Sequence, residues 1–294
     1  MTDNDKQPAP PHARVQDILL LPPLPAIALK LLQLVSREDC DIQELSHLIE
    51  QDPGIAARIV GIANSAYFAR PTPVCSVADA IVRVLGLNLV RGIAIGIALS
   101  KPFDPGACPD FQLDRYWYRA MCSATLAAQL APLARLPETA HACLFLSGLL
   151  HNLGQLVLAH AFPDRMSQVF RAWAQQPGQS LLALESQHLH MTEVEAGTLV
   201  ARRWQLPAGV SDVIEFRRDP SRAGASAPLV ELIAYCAAFA SALYDDPQAE
   251  AQPQPQAGAA VAEASADAFA RALQRVRAQD AQLRALAQSM SGTV

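Results

Sequence analysis

A helical spacing of apolar residues recurs along most of this chain, and it constrains the fold more than any other feature. Near the N-terminus, four apolar residues follow one another at steps of three or four positions: Leu24, Ile27, Leu31 and Leu34. That spacing places them on one face of a helix. The sequence has no convincing run in which polar and β-branched apolar residues alternate, as they would in a half-buried strand. The sequence therefore predicts an all-α protein.

Residues that favour helix starts and ends divide this periodic apolar pattern into separate helices. Asp52 precedes Pro53, and a capping residue followed by proline is a typical helix start. Thr192 and Glu195 have the spacing of a capping box. Gly86 separates two apolar runs, so it is expected to end one helix before the next begins.

Changes in composition divide the chain into successive parts. Pro and Gly are concentrated at 102–109, which predicts a boundary between two helical lobes. Residues 246–265 are mostly Pro, Gln and Ala, a composition typical of disordered linkers. The predicted parts are a flexible N-terminal arm (1–17), an N-terminal lobe (about 18–101), a second lobe (about 110–245), a disordered linker (246–265) and a C-terminal helix (266–290).

The predicted C-terminal helix has apolar residues at alternating four- and three-residue steps. This heptad spacing is typical of a coiled coil, although Asp280 and Ala287 weaken the seam. Such a helix can pack on the body of its own chain, or it can pair with a second copy to form a homodimer. The sequence leaves both alternatives open.

The amino-acid composition limits where the protein can be located in the cell and what it can bind. Apolar residues make up 51% of the 294 residues, which is enough for a large core, and the net charge of -5 argues against nucleic acid as a partner. The six cysteines form no CxxC pair and are expected to be reduced core residues. The N-terminus has no apolar signal core, and uninterrupted apolar runs such as Ile93 to Leu99 are far shorter than the ~20 residues that span a bilayer. We therefore expect a cytoplasmic protein with no membrane partner.

Short motifs that follow one another over both lobes resemble the HDOD domain, a bacterial output domain related to HD phosphohydrolases. In the first lobe they are Leu21-Pro22-Pro23-Leu24-Pro25, Asp52-Pro53, Ala63-Asn64-Ser65 and Leu85-Gly86; in the second they are GLLHNLGQLVL (148–158) and RRWQLPAGVSDVI (202–214). The resemblance covers roughly residues 18–245. It implies two helical lobes, the second an HD-like bundle, and a role in bacterial signal transduction.

The same resemblance implies a degenerate metal site. HD enzymes hold their metal with a His, an adjacent His-Asp pair and a distant Asp, and the cation polarises phosphate and activates water. In this sequence Arg119 stands at the first His, His151-Asn152 at the pair and Tyr235 near the distant Asp, while a His-His pair of many relatives becomes Arg217-Arg218. Neutral amides and permanently charged guanidiniums are poor ligands for a hard cation. We therefore expect no catalytic residues, no bound metal and no other cofactor.

Three functions remain open. The lost ligands favour a non-catalytic regulatory module that acts by protein-protein interaction with an unidentified signalling protein. A second is a metal-dependent HD phosphohydrolase. A third is an effector that binds a nucleotide, a cyclic dinucleotide or another anion in a relic pocket formed by Arg119, His151, Asn152, Tyr235 and Arg217. Two of these residues also have structural interpretations: His151 as a core histidine with satisfied hydrogen bonds, and Asn152 as the cap of the helix that begins at Leu153.

Overall fold

The computed structural model describes residues 23–35, 41–65, 68, 71–134, 136–176, 178–247 and 266–291. Over these residues the protein is all-α, which confirms the predicted fold class. The predicted flexible arm and most of the predicted linker, 248–265, lie outside the described residues. Their predicted disorder therefore stays a prediction.

In the first third of the chain, the described residues form five α-helices around an apolar centre. They are α1 (Ala26–Val35), α2 (Ile42–Glu50), α3 (Pro53–Ala63), α4 (Val77–Ala80) and α5 (Leu87–Ser100). The short α4 continues into a π-helical turn, Ile81–Leu85, which the sequence analysis did not predict. Gly86 ends this turn with a φ of 80°, in the region that glycine tolerates best, and so confirms its predicted place between two helices.

Eight further α-helices follow in the part of the chain described from 101 to 247. They are α6 (Leu113–Leu130), α7 (Glu138–Leu150), α8 (Leu153–Ala161), α9 (Pro163–Gln175), α10 (Leu181–Leu189), α11 (Glu193–Arg203), α12 (Ala208–Phe216) and α13 (Ala227–Asp245). The long helix α6 lies at the centre, because α7 and α13 both pack against it. Helices α8 and α11 form a second packed pair, and α12 joins α11 to α7.

Side-chain caps account for the predicted helix starts. Asp52 accepts hydrogen bonds from the backbone N–H groups of Gly54 and Ile55 at the start of α3. At the start of α11, the Thr192 hydroxyl accepts from the Glu195 N–H, and the Glu195 carboxylate accepts from the Thr192 N–H. Both predicted starts are confirmed, and each cap satisfies backbone donors that the first helical turn leaves unpaired.

Two glycines bring α5 close to the second group of helices. A Cβ atom added at Gly92 would lie 2.1 Å from the Phe145 ring, and one at Gly96 would lie 3.1 Å from a methyl of Leu149. Hydrogen atoms at these positions therefore let α5 approach α7 closely. One continuous core of buried apolar residues extends from Ala28 to Met290 across both groups of helices.

The C-terminal segment forms two helices where the sequence predicts one. Helix α14 (Ala266–Ala278) and helix α15 (Asp280–Ser291) meet at Gln279, and both pack on α6. The break places Asp280 where it accepts hydrogen bonds from the Tyr118 hydroxyl and the Arg284 guanidinium.

The apolar face of these two helices is buried within the same chain. It consists of Leu273, Val276, Leu283, Leu286, Ala287 and Met290. Helix α15 also reaches α3, so it joins the first helices to the second group. The segment therefore packs on the body of its own chain, which is the first of the two predicted alternatives. The homodimer stays a prediction, and it would need another surface.

Two stretches are long and apolar enough to cross a membrane by length and composition alone, Cys143–Ala161 and Gly224–Asp245. Neither stretch is an uninterrupted apolar run, because polar residues such as His151 and Glu231 lie within them. In the structure, 89% of the first stretch and 56% of the second are buried, and the first bends at His151 between α7 and α8. Core helices pass the same test, so the absence of a membrane partner stays a prediction.

Candidate functional site

Four of the five predicted site residues lie together in the second group of helices. Arg119 lies on α6, His151 and Asn152 form the turn between α7 and α8, and Arg217 follows the end of α12. Arg217 Nε donates a hydrogen bond of 2.8 Å to the backbone oxygen of His151. Asn152 Nδ2 donates one of 3.4 Å to the backbone oxygen of Tyr116, one helical turn before Arg119.

Arg217 forms a buried ion pair that the sequence analysis did not predict. Its Nη2 lies 2.5 Å from Oε1 of Glu193, and the side chains of Arg217 and Glu193 are 5% and 1% exposed. Arg218 donates to the same oxygen at 2.7 Å from a half-exposed position. Burial alone would raise the pKa of Glu193, but the charges of Arg217 and Arg218 outweigh it and lower that pKa to about 2. Glu193 is therefore ionised at neutral pH.

A second buried carboxyl group lies next to this pair. Glu185 on α10 accepts a hydrogen bond of 2.8 Å from the backbone N–H of Glu193. Burial and the negative charge of Glu193 raise the pKa of Glu185 to about 8. The two carboxyl groups thus titrate far apart, with Glu185 mostly protonated and Glu193 ionised at neutral pH.

His151 is held as a neutral ring. Its Nδ1–H donates to the Gly148 carbonyl at 2.7 Å, while Nε2 is buried with no hydrogen-bond partner among the described residues. Burial, and then the charges of Arg217 and Arg119, lower the pKa of His151 well below its ordinary value. The interpretation of His151 as a fully satisfied core residue therefore holds for one ring nitrogen only.

Asn152 does not act as predicted. It precedes α8, but its side chain makes no capping hydrogen bond there. The amide group instead points towards α6, where it bonds to Tyr116, and its Oδ1 is buried without a partner among the residues that the structure describes.

Tyr235 lies outside the pocket. Its ring packs against Phe269 of α14, with ring centroids 5.3 Å apart. Consecutive helical residues point about 100° apart, so a predicted register that is wrong by one position selects another face. The residues that α13 presents to the pocket are small: Ala234, Ala237, Ala238 and Ser241.

Two adjoining cavities meet at Arg119. The larger, of about 530 Å³, and the smaller, of about 280 Å³, share Arg119, Gln155, Trp173 and Leu181 as lining residues. Burial is the main cause that lowers the pKa of Arg119, to about 10; the charge of Glu193 raises this pKa, and the charges of Arg217, Arg115 and Arg218 lower it further. The guanidinium of Arg119 therefore remains charged at neutral pH. Its Nε is buried and has no hydrogen-bond partner in the described part of the chain.

These residues do not fit a divalent metal ion. The carboxylate of Glu193 is bound by two guanidiniums, and the high pKa of Glu185 keeps that group mostly neutral. The free Nε2 of His151 lies among positive charges that would repel a cation. Over the residues that the structure describes, no three His, Cys, Asp or Glu side chains are grouped so that they could hold a metal ion.

Comparisons with known proteins identify the family of this fold. The family model of the HDOD domain matches residues 21–220. A relative from Treponema pallidum (strain Nichols), called an uncharacterized protein, is 27% identical over 228 residues. The match spans 76% of this chain and 42% of that protein, so this chain covers less than half of the relative's length.

Two solved structures share the fold. One, from Marinobacter aquaeolei VT8, is named for a role in signal transduction; it is 26% identical, with a TM-score of 0.68 over 96% of this chain and 63% of that chain. The other, from Shewanella amazonensis SB2B, is named as a phosphohydrolase. It is 23% identical, with a TM-score of 0.65 over 95% of this chain and 97% of that chain. The likeness to the structure from Shewanella amazonensis shows only that the two proteins share a fold.

Proposed function

This chain belongs to the HDOD domain family, and from that premise we propose that it is a non-catalytic regulatory module of bacterial signal transduction. One observation carries the proposal: the buried Arg217–Glu193 ion pair lies beside His151, where an HD enzyme would hold its metal. The module would act in the cytoplasm by contact with another signalling protein. The likeness to a structure named for signal transduction supports this role.

The chemistry of the ion pair argues against hydrolysis. An HD-type reaction needs a cation that lowers the pKa of a bound water and polarises a phosphate. Here a guanidinium, which keeps its proton at all ordinary pH values, bonds both to Glu193 and to the backbone of His151. The site already carries more positive than negative charge, because two guanidiniums share the Glu193 carboxylate and Glu185 is mostly protonated, so nothing in it calls for a cation.

Metal content tests the proposal directly. Tag-free protein purified without chelator should contain less than about a tenth of an equivalent of Fe, Mn, Zn or Ni by inductively coupled plasma mass spectrometry. The same preparation should not hydrolyse p-nitrophenyl phosphate or bis(p-nitrophenyl) phosphate when Mn²⁺ is added. The matched control is His151→Asn, because activity that survives this substitution comes from a contaminant. About one metal equivalent, with hydrolysis that His151→Asn abolishes, would overturn the proposal.

A further inference from the structure

We propose that the larger cavity beside Arg119 binds a phosphorylated ligand that carries an aromatic ring, of the size of a nucleoside monophosphate. The inference deepens the proposed function and rests on it, because it gives a ligand and no reaction to a cavity that adjoins the predicted site and shares Arg119 with it. Three features carry it: an arginine without a close ion pair among the described residues, a second polar group beside it, and an aromatic wall.

Of the arginines that line the two cavities, Arg119 forms no close ion pair with a carboxylate in the described part of the chain, and the charge of Glu193 acts on it only from farther away. Among the described residues, the other lining arginines are each paired: Arg115 with Asp245, Arg171 with Asp110, and Arg217 and Arg218 with Glu193. Arg119 has no such ion pair in the described part of the chain, and its Nε is buried without an acceptor. Because that Nε has almost no accessible surface, an anion in the cavity would bind the terminal nitrogens of the Arg119 guanidinium, which are not among the buried unpaired atoms of the described residues.

The geometry of arginine suits a phosphate. A guanidinium presents its N–H donors in a planar fork that matches two oxygens of one phosphate group. Gln155 is largely buried and lines both cavities with Arg119, so it brings an amide group, which can donate hydrogen bonds, to the same cavity wall. The hydroxyls of Ser180 and Ser241 line the smaller cavity.

The wall of the larger cavity is aromatic. It includes Phe111, Tyr116, Phe170 and Trp173, and the rings of Phe111 and Phe170 lie 5.9 Å apart. Arg115 lies over the Trp173 ring at 5.5 Å, which adds a cationic edge. A planar ring can pack on such a wall by stacking or edge contacts.

The size of the cavity separates the candidate ligands. About 530 Å³ falls within the range of small-molecule sites, roughly 300–1,000 Å³. Inorganic phosphate would pair with Arg119 but leave the aromatic wall in water, and an uncharged ring would leave Arg119 unpaired. A ligand that satisfies both features combines a phosphate and a ring.

Isothermal titration calorimetry on the tag-free full chain tests this inference. Adenosine monophosphate, adenosine and inorganic phosphate are the probes. We expect adenosine monophosphate to bind at least about tenfold more tightly than either fragment, and Arg119→Gln to weaken its binding by about tenfold or more. The matched control is Arg202→Gln, an exposed arginine that pairs with Glu215 and lines neither cavity.

A second variant guards against misfolding of Arg119→Gln. Ala174 lines the larger cavity on α9, so Ala174→Trp should fill the space and abolish binding without removing a charge. Circular dichroism establishes that each variant is folded before it is titrated. Retained binding in either folded variant, or equal affinity for inorganic phosphate, would overturn the inference.

The failure of this inference can be told apart from the failure of the proposed function. Each probe is incubated with protein and Mn²⁺ and then analysed by chromatography. Tight binding with intact adenosine monophosphate supports both proposals, whereas binding with release of phosphate refutes the non-catalytic function and leaves the site standing. No saturable binding up to about a millimolar concentration refutes the ligand site alone.

Discussion

Substitution of Glu193 by glutamine should destabilise the protein more than any ordinary surface change. Gln keeps the shape of the side chain but removes the charge that balances Arg217, and the pair is only 1% and 5% exposed. Arg218 is half-exposed and can turn to water, but Arg217 cannot. Breaking one partner of a buried pair costs about 3–5 kcal/mol, because the other charge is left uncompensated. The unfolding equilibrium constant should therefore rise by roughly a hundred- to a few-thousand-fold.

Urea unfolding followed by circular dichroism at 222 nm measures this change at neutral pH. The control is Glu215→Gln, which removes the partner of Arg202 from an ion pair whose side chains are 67% and 28% exposed. Surface pairs contribute about 1 kcal/mol or less, so the two variants should differ by at least about 2 kcal/mol. The double variant Glu193→Gln, Arg217→Gln should recover part of the loss, because it leaves no unpaired charge at Arg217.

The reasoning would be refuted if Glu193→Gln and Glu215→Gln had the same unfolding free energy. That result would mean that water reaches Arg217 and replaces the missing carboxylate. A double variant less stable than Glu193→Gln would also count against it, because the penalty would then come from lost hydrogen bonds and not from an unpaired charge.

Three further outcomes are expected. Burial raises the pKa of Glu185 from 4.5 to about 8, so the stability gained from its protonated form is full below pH 4.5 and is lost as the pH rises to about 8. Between pH 5 and 8, Glu185→Gln should therefore gain stability relative to the original chain, as measured by urea unfolding. If the unfolding free energies of the two proteins changed with pH in parallel, the prediction would be wrong. Gly154→Ala should cost about 1–3 kcal/mol or more by the same assay, since its Cβ would lie 1.7 Å from the Glu193 carbonyl oxygen. Gly61→Ala, where a Cβ meets nothing within 4 Å, is the control and should stabilise α3. Leu283→Ala should cost about 2–5 kcal/mol and leave the mass measured by light scattering unchanged; a lower mass would show that this helix pairs two copies.

Most of the fold follows from local signals in the sequence. Apolar periodicity predicts the all-α class, and local residue patterns predict the starts of α3 and α11 and the place of Gly86 between two helices. The π-helical turn at Ile81–Leu85 and the break at Gln279 carry no such signal. The break depends on contacts between Asp280 and Tyr118, which are 162 positions apart in sequence, so no local pattern could predict it.

The site was predictable only where the resemblance supplied it. Arg119, His151, Asn152 and Arg217 lie near one another, while Tyr235 packs against Phe269 and its neighbours Ala234 and Ala237 line the smaller cavity. Both buried carboxyl groups were missed. Glu193 lies in the first turn of a helix, where acidic residues are ordinary, and it pairs with a residue 24 positions away. Glu185 offered one signal, since it lies next to the buried Leu184 on a largely apolar helix.

The same residues explain why a site without metal ligands would keep its shape. Arg217 joins three elements at once, because it follows α12, pairs with the first residue of α11 and bonds to the turn between α7 and α8. A bound metal in an HD enzyme joins elements in a similar way, since its ligands come from different helices. In this chain the guanidinium performs that structural task without needing a cation. Arg119 then forms no close ion pair in the described part of the chain, and a cavity that still has its walls and this positive charge is suited to binding an anion.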